Sequence, residues 1–239
     1  MKLYDECIRG ALSLLDSAQG VRLDLSGCAW RDTGVGSLVL RSEAAYELGG
    51  GTLPGISGFA VTSSEDLVPK DSVWLYGPDI PAIKHDAPYA RLTFVRVAEN
   101  DMGEGDTAYN EICRMEHTRY KVNPEGFMMR ISPSRSHESV RVSHAAIAAG
   151  LDFARSGRLL LDGYRAHPNV LAAKMIFITL PDFPYDALNT QVRLMEKITG
   201  SLDHIFKNLM MDCSICNLKP VCDEVEGIKE LHFSQTKKK

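Results

Sequence analysis

Residues 188–210 carry an apolar stripe that only a helix of about six turns can bring together on one side. Within this segment the apolar side chains recur at spacings of three or four, namely at Leu188, Val192, Met195, Ile198, Leu202, Ile205 and Leu209. This period predicts a long amphipathic helix despite Gly200. A helix with one apolar side has to pack on another surface, which the rest of the chain must supply.

Short apolar runs that end at glycine or proline predict the strands of that surface. A hairpin is expected where residues 37–47 return, through Gly49, Gly50 and Gly51, into the run 56–62. Helices are predicted for residues 4–18 and after Gly105, where the period changes from two to about 3.6. The fold class is therefore α+β, a mixed sheet flanked by helices. Its further strands are expected at residues 73–76, 92–98, 127–131 and 174–180.

An alanine-rich helix is predicted after Ser143. Its sequence, HAAIAAGLDFARS, combines strong helix formers with a serine at the N-cap position. Gly157 follows the run and is expected to end this helix.

Length and charge limit the organisation and the partners of the chain. Its 239 residues, 44% of them apolar, predict one large domain over residues 37–209. It follows an N-terminal helix and linker (residues 1–36) and precedes a cysteine-rich tail (residues 210–239). A net charge of -4 gives no general attraction to nucleic acid or acidic membranes. No apolar stretch reaches the roughly 18 residues of a membrane span, and charges interrupt the N-terminus, which predicts a cytoplasmic protein.

The centre of the chain is locally basic. Residues 114–165 hold eight arginines and one lysine against five acidic residues, within an acidic chain. The preference for arginine matters, because guanidinium binds phosphate or carboxylate through two parallel hydrogen bonds. This composition favours a ligand that carries phosphate.

A polar loop is predicted over residues 130–141, and it leads to the helix start at Ser143. Its Arg130, Arg135 and Arg141, together with Ser143, are the candidate anion-binding residues. The alternative is an ordinary basic loop in which the arginines pair with the nearby carboxylates of Glu116, Glu125 or Glu138.

Three cysteines near the C-terminus predict a metal site. Cys213, Cys216 and Cys222 form a C-x2-C-x5-C arrangement, in which the first two thiolates can converge on one ion. Zinc and an iron–sulfur cluster both need four ligands as a rule. The fourth is His232, one of Cys7, Cys28 and Cys113, or a residue of a partner chain. Three reduced thiols in a surface tail are the alternative.

Two blocks resemble consecutive parts of one protein family. The sequences AYELGGGTLPGISGFAVTSSEDLVPKDSVWLYGPDI and VRVSHAAIAAGLDFARSGRLL are similar in order and spacing to the middle domain of acetyl-CoA synthase, the partner of carbon monoxide dehydrogenase. The intervening EICRMEHTRYKVNPEGFMMR is similar in placement and looser in identity. The resemblance extends over about residues 38–178.

The resemblance implies an α+β domain that binds coenzyme A through arginines, which here are Arg130, Arg135 and Arg141. It also implies carbon monoxide dehydrogenase, a corrinoid protein or other synthase-related subunits as partners. Two features differ from the family. The A-cluster domain with its Cys-Gly-Cys nickel site is missing, and Phe127, Met128 and Met129 follow the Glu-Gly pair where the family has a tryptophan.

Three functions therefore stay open. The first is an accessory module without its own A-cluster, which binds coenzyme A or a protein partner. The second is a subunit of an acyl- or methyl-transfer enzyme that shares an iron–sulfur or nickel site with a partner. The third is a small metal or redox protein. No complete catalytic site is visible, so the residues do not decide whether the chain is an enzyme.

Overall fold

A computed structural model of the chain describes residues 2–34, 38–98, 102, 106–131 and 136–206. Its strands are β1 (Val21–Arg22), β2 (Ala44–Leu48), β3 (Gly55–Thr62), β4 (Ser72–Tyr76), β5 (Tyr89–Val97), β6 (Phe127–Ile131), β7 (Glu138–Ser143) and β8 (Val170–Ile178). Its α-helices are α1 (Asp5–Ser13), α2 (Asp106–Glu116), α3 (Thr118–Lys121), α4 (His144–Ala148), α5 (Phe153–Arg165) and α6 (Tyr185–Phe206). A 3-10 helix spans Ile80–Ala82. Within the described ranges, no helix has the length and apolarity needed to cross a bilayer.

The larger sheet has five strands in the order β1-β4-β8-β5-β3. It is mixed: β4 runs parallel to β8 and β3 parallel to β5, whereas β5 and β8 are antiparallel. All eight residues of β3 are buried, as expected for a strand covered on both faces. The predicted α+β class with a mixed sheet between helices is thereby confirmed.

Helices cover the two faces of this sheet. On one face, α1 and α6 enclose an apolar cluster that includes Ile8, Leu92, Ile176 and Val192. On the other face, α5 packs through Leu160 and its neighbours. The predicted stripe is the packing surface of α6 in its described part, where Leu188, Val192, Met195 and Leu202 are buried, and residues 207–210 lie outside the described residues.

The N-terminal residues are part of this same core. Tyr4 shares a hydrogen bond of 2.9 Å with the Thr199 hydroxyl of α6, and the Thr62 hydroxyl donates to the Asp5 carboxylate at 2.7 Å. In addition, β1 forms the outer strand of the five-stranded sheet. The predicted N-terminal helix and linker thus contribute to both layers of the domain.

The smaller sheet is antiparallel, with the order β2-β7-β6. Its inner face contributes Leu48, Phe127, Val140 and Val142 to the core on the α5 side. There Phe127 meets Phe153 edge to face, with ring centroids 6.2 Å apart. Successive residues of a strand point to opposite faces, so the side chains of Glu47, Arg130 and Arg141 lie on its outer face.

The predicted hairpin is wrong. β2 pairs with β7, and β3 pairs with β5, so the glycine-rich turn carries the chain from one sheet to the other. Gly49 has a φ of +63°, and a Cβ at Gly55 would lie 2.4 Å from the Glu138 carbonyl oxygen. These glycines allow β7 to approach the crossover, which a residue with a side chain would prevent.

The single alanine-rich helix is also wrong, although its start is confirmed. Ser143 caps α4, but the helix stops at Ala148 and the chain turns at Gly150, whose φ is +98°. A new helix, α5, begins after Asp152, whose carboxylate accepts from the Arg155 N–H at 2.7 Å. Gly157 lies inside α5, against the side chain of Val73.

Candidate anion-binding site

The structure places the predicted site residues on strands. Arg130 lies on β6, Arg141 lies on β7, and Ser143 is the last residue of β7. The expected loop over residues 130–141 is therefore wrong at both ends. Arg135 lies outside the described residues, as do the four predicted metal ligands Cys213, Cys216, Cys222 and His232.

Strand pairing brings Arg130 and Arg141 to the same face of the smaller sheet. Arg141 is opposite Glu47 of β2 on one side and opposite Met128 of β6 on the other. Arg130 is two residues beyond Met128, so its side chain points to the same face. The outer face of this sheet thus presents two arginines around one glutamate.

Both arginines bind the Glu47 carboxylate. The Arg130 Nη1 donates to Oε1 at 3.0 Å, and the Arg141 Nε donates to Oε2 at 2.9 Å. The Arg130 side chain is 49% exposed, and those of Arg141 and Glu47 are each 23% exposed. We refer to Glu47, Arg130 and Arg141 as the guanidinium pair site.

The carboxylates expected as partners lie elsewhere. Glu138 faces the core and binds Arg91, Glu116 binds Arg119, and Glu125 binds Arg31. Glu47 was missed because it is 83 residues from Arg130 and 94 from Arg141 in the chain. Its position between the buried Tyr46 and Leu48, with period-two alternation, is the signal that marks it as outward-facing.

The guanidinium pair site keeps a net charge of +1, since one carboxylate faces two guanidiniums. Each arginine uses one nitrogen for Glu47, which leaves further N–H groups on both side chains. Among the described residues, Glu47 is the hydrogen-bond and ion-pair partner that the structure shows for either arginine. Planar forks of this kind match the oxygen spacing of phosphate and carboxylate.

Apolar groups border the site. The Val39 N–H donates to the Met128 Sδ at 3.3 Å, so the segment before β2 lies alongside β6. Its neighbours Leu38 and Leu40 are 73% and 51% exposed. Met128 is opposite Arg141, so an apolar side chain lies next to the arginines on this face, and the exposed leucines flank the residue that contacts it.

Ser143 has a structural role in this arrangement. Its hydroxyl accepts from the Ala146 N–H at 3.1 Å, and its own N–H donates to the Gly126 carbonyl at 2.9 Å. These bonds join the start of α4 to the turn before β6. With five residues, α4 has only a small helix dipole to offer an anion.

A second polar cluster is buried between the two sheets. Arg91 of β5 and Glu138 of β7 form a bidentate ion pair, and their side chains are 1% and 0% exposed. Burial lowers the pKa of Arg91, but the charge of Glu138 and its hydrogen bonds to the guanidinium outweigh that effect, so the net pKa is raised. Arg91 therefore stays charged, and the pair fastens the smaller sheet to the larger one.

A small cleft lies near this cluster, beside Arg119. The Arg119 Nη1 donates to the Ser57 hydroxyl at 3.3 Å, and Nη2 donates to Glu116 at 3.1 Å. The cleft has about 10 Å³ for a ligand, which is the room of a single water molecule. A groove of about 560 Å³ beside β1 is larger, but its arginines, Arg22 and Arg158, are balanced by Asp24 and Asp71.

No metal site is visible in the part of the chain that the structure describes, where no three histidine, cysteine or acidic side chains cluster. Cys7 is buried on α1, whereas Cys28 and Cys113 are partly exposed.

The comparison with protein-family models and the search of curated proteins find no match to this sequence. The guanidinium pair site is therefore the candidate that the geometry itself supplies.

Proposed function

We propose that this chain is an accessory binding module that holds a phosphate-bearing ligand at the guanidinium pair site. Coenzyme A is the leading candidate, because the resemblance to the acetyl-CoA synthase middle domain and the pair of arginines both favour it. The module would work beside carbon monoxide dehydrogenase, a corrinoid protein or another synthase-related subunit rather than make acetyl-CoA alone.

One observation carries this proposal. Arg130 and Arg141 lie on adjacent strands, share one carboxylate and have N–H groups left over at a partly exposed surface. A phosphate needs several donors that converge from fixed positions, and strands hold donors more firmly than a loop does. The site has this property even though the sequence alone predicted a loop.

The apolar border supports a ligand that is larger than inorganic phosphate. Met128, with the exposed Leu38 and Leu40 on either side of the Val39 that contacts it, would offer a nucleotide ring or an aliphatic arm an apolar surface on which to pack. Coenzyme A has phosphates, an adenine ring and a long pantetheine arm. The residues present therefore fit this class of molecule.

A metal in the tail is a separate proposal. The C-x2-C-x5-C spacing favours zinc or an iron–sulfur cluster held by Cys213, Cys216, Cys222 and a fourth ligand such as His232. A cluster would favour the second function, in which the chain completes a metal site with a partner subunit. It would equally serve a redox role.

Calorimetric titration with coenzyme A tests the proposed ligand. We expect R130A and R141A each to weaken binding by about tenfold, because each variant removes charge-assisted hydrogen bonds. The matched control is R31A, which removes an arginine that is 74% exposed and paired with Glu125. Low ionic strength, with a Debye length of about 30 Å, keeps the interaction measurable.

The comparison with the control decides the result. Loss of binding in R130A and R141A with no change in R31A supports the site. If all three variants bind coenzyme A equally weakly, the ligand is attracted only by the overall positive charge of the protein surface and not by this site. Absence of binding by the unaltered protein and by E47Q would refute the proposal.

A further inference from the structure

We propose that Glu47 is a built-in competitor for the ligand, whose carboxylate takes the place between Arg130 and Arg141 that a phosphate would occupy. A ligand then binds by displacing Glu47 from the arginines. This inference rests on the proposed function, because it concerns the same site and adds a rule for which anions the site accepts.

The geometry of the Glu47 carboxylate is that of a bound anion. Each of its two oxygens accepts from a different arginine, at 3.0 Å from Arg130 and 2.9 Å from Arg141. The three residues come from three different strands, β2, β6 and β7. A phosphate placed between the guanidiniums would compete with Glu47 for these same two donors, so displacement of Glu47 makes them available in addition to the remaining N–H groups.

The neighbouring turn leaves room for the Glu47 side chain. A Cβ on Gly50 would lie 2.6 Å from the Glu47 Cγ and 2.7 Å from its Cδ. Gly50 is not among the glycines with positive φ, so its backbone does not require glycine. The glycine at position 50 is therefore explained by the space that the Glu47 side chain occupies, and not by the backbone conformation of the turn.

Competition of this kind makes the site selective for charge. A ligand carboxylate would replace one single negative charge with another and gain little. A phosphate monoester carries a charge of about -1.5 to -2 near neutral pH and offers three oxygens. The larger charge allows the phosphate to displace the Glu47 carboxylate from both arginines. The site is thus expected to accept a phosphate monoester, such as the one on the ribose of coenzyme A, and to reject carboxylates.

The Glu47 side chain can leave the arginines while its backbone stays in place. Its side chain is already 23% exposed, so its carboxylate can turn to water without breaking the sheet. The backbone of Glu47 stays fixed, since its N–H donates to the Asp86 carboxylate and its carbonyl accepts from the Ala87 N–H. Only the side chain needs to move.

Two independent variants test this inference by calorimetric titration with coenzyme A. E47Q removes the competing charge, and G50A pushes the Glu47 side chain off the arginines. We expect both to bind coenzyme A about three- to tenfold more tightly, because two partly exposed ion pairs no longer have to be broken. E65Q, the control, removes one carboxylate that is 74% exposed and pairs with Arg96.

Dephospho-coenzyme A, which lacks the phosphate monoester, provides the second probe. The unaltered protein should bind it more weakly than coenzyme A, and E47Q should narrow that difference. Unchanged or weaker binding by both E47Q and G50A, while R130A and R141A still lose affinity, would overturn the role of Glu47 and leave the proposed function standing. No binding of coenzyme A by any of these proteins would overturn both.

Discussion

Replacing Glu138 by glutamine would leave the Arg91 guanidinium buried without its carboxylate. The two side chains are 0% and 1% exposed, and the pair joins β7 of the smaller sheet to β5 of the larger one. Glutamine has nearly the same shape as glutamate, so the variant changes the charge and one hydrogen bond while it keeps the packing. The change therefore isolates the electrostatic contribution of the pair.

The expected cost follows from this burial. Breaking a fully buried ion pair from one side typically destabilises a protein by about 3–5 kcal/mol, because the remaining charge stays desolvated. A domain of this size has a free energy of unfolding of about 5–15 kcal/mol. E138Q should consequently remove a large fraction of the stability. Its melting temperature should fall by about 6–20 °C.

Urea unfolding of a double-mutant cycle provides the measurement. R91M and E138L alone should each be strongly destabilised, whereas the double variant R91M/E138L should recover most of the loss, since it buries no unpaired charge. E65Q is the matched control: it breaks the pair with Arg96, on the same strand β5, where the carboxylate is 74% exposed. It should cost less than about 1 kcal/mol. If E138Q were no more costly than E65Q, the pair would not fasten the sheets.

Two further predictions concern other parts of the chain. Burial, with the Lys121 charge adding to it, lowers the pKa of His167 from its ordinary 6.5, so the folded state favours the neutral imidazole. The stability that the neutral His167 imidazole contributes is complete above the unfolded pKa and is lost as the pH falls through the lower folded pKa. Between about pH 7 and 5, the free energy of unfolding of H167Q should therefore fall less than that of the unaltered protein. An identical pH profile for H167Q, with H85Q as the exposed control, would contradict this assignment. In the tail, oxygen-free purification should give a protein with bound zinc or iron, which C213S should lose while S214A keeps it. Elemental analysis that finds no metal in the unaltered protein would refute the tail site.

Local patterns predicted the elements whose burial is regular. The expected strands 56–62, 73–76 and 92–98 match β3, β4 and β5 to within three residues. The helix predicted for residues 188–210 matches α6 as far as Phe206, where the described residues end. In these segments the apolar side chains repeat with the period of the element, so neighbours in sequence carry the information. The α+β class follows from their interleaving.

Pairing between distant segments could not be predicted in the same way. β7 begins with Glu138, whose buried carboxylate is paired with Arg91, 47 residues away in the chain. Without that partner, the sequence of β7 reads as a polar loop. The same limit applies to the glycine turn, whose closeness to the Glu138 carbonyl is a tertiary contact. The predicted loop and the predicted hairpin were therefore both wrong because the contacts that determine these segments are long-range.

The alternation of β7 joins the stability of the fold to the candidate site. Glu138 points inward to Arg91, and Arg141, three residues later, points outward to Glu47. A variant at Glu138 is therefore expected to disturb the position of Arg141 through the strand, whereas a variant at Glu47 leaves the core contact intact. For this reason, weaker coenzyme A binding in E138Q would not by itself identify a ligand contact. If E47Q binds coenzyme A more tightly and keeps the free energy of unfolding of the unaltered protein, the outer face of β7 acts in ligand binding and its inner face in stability.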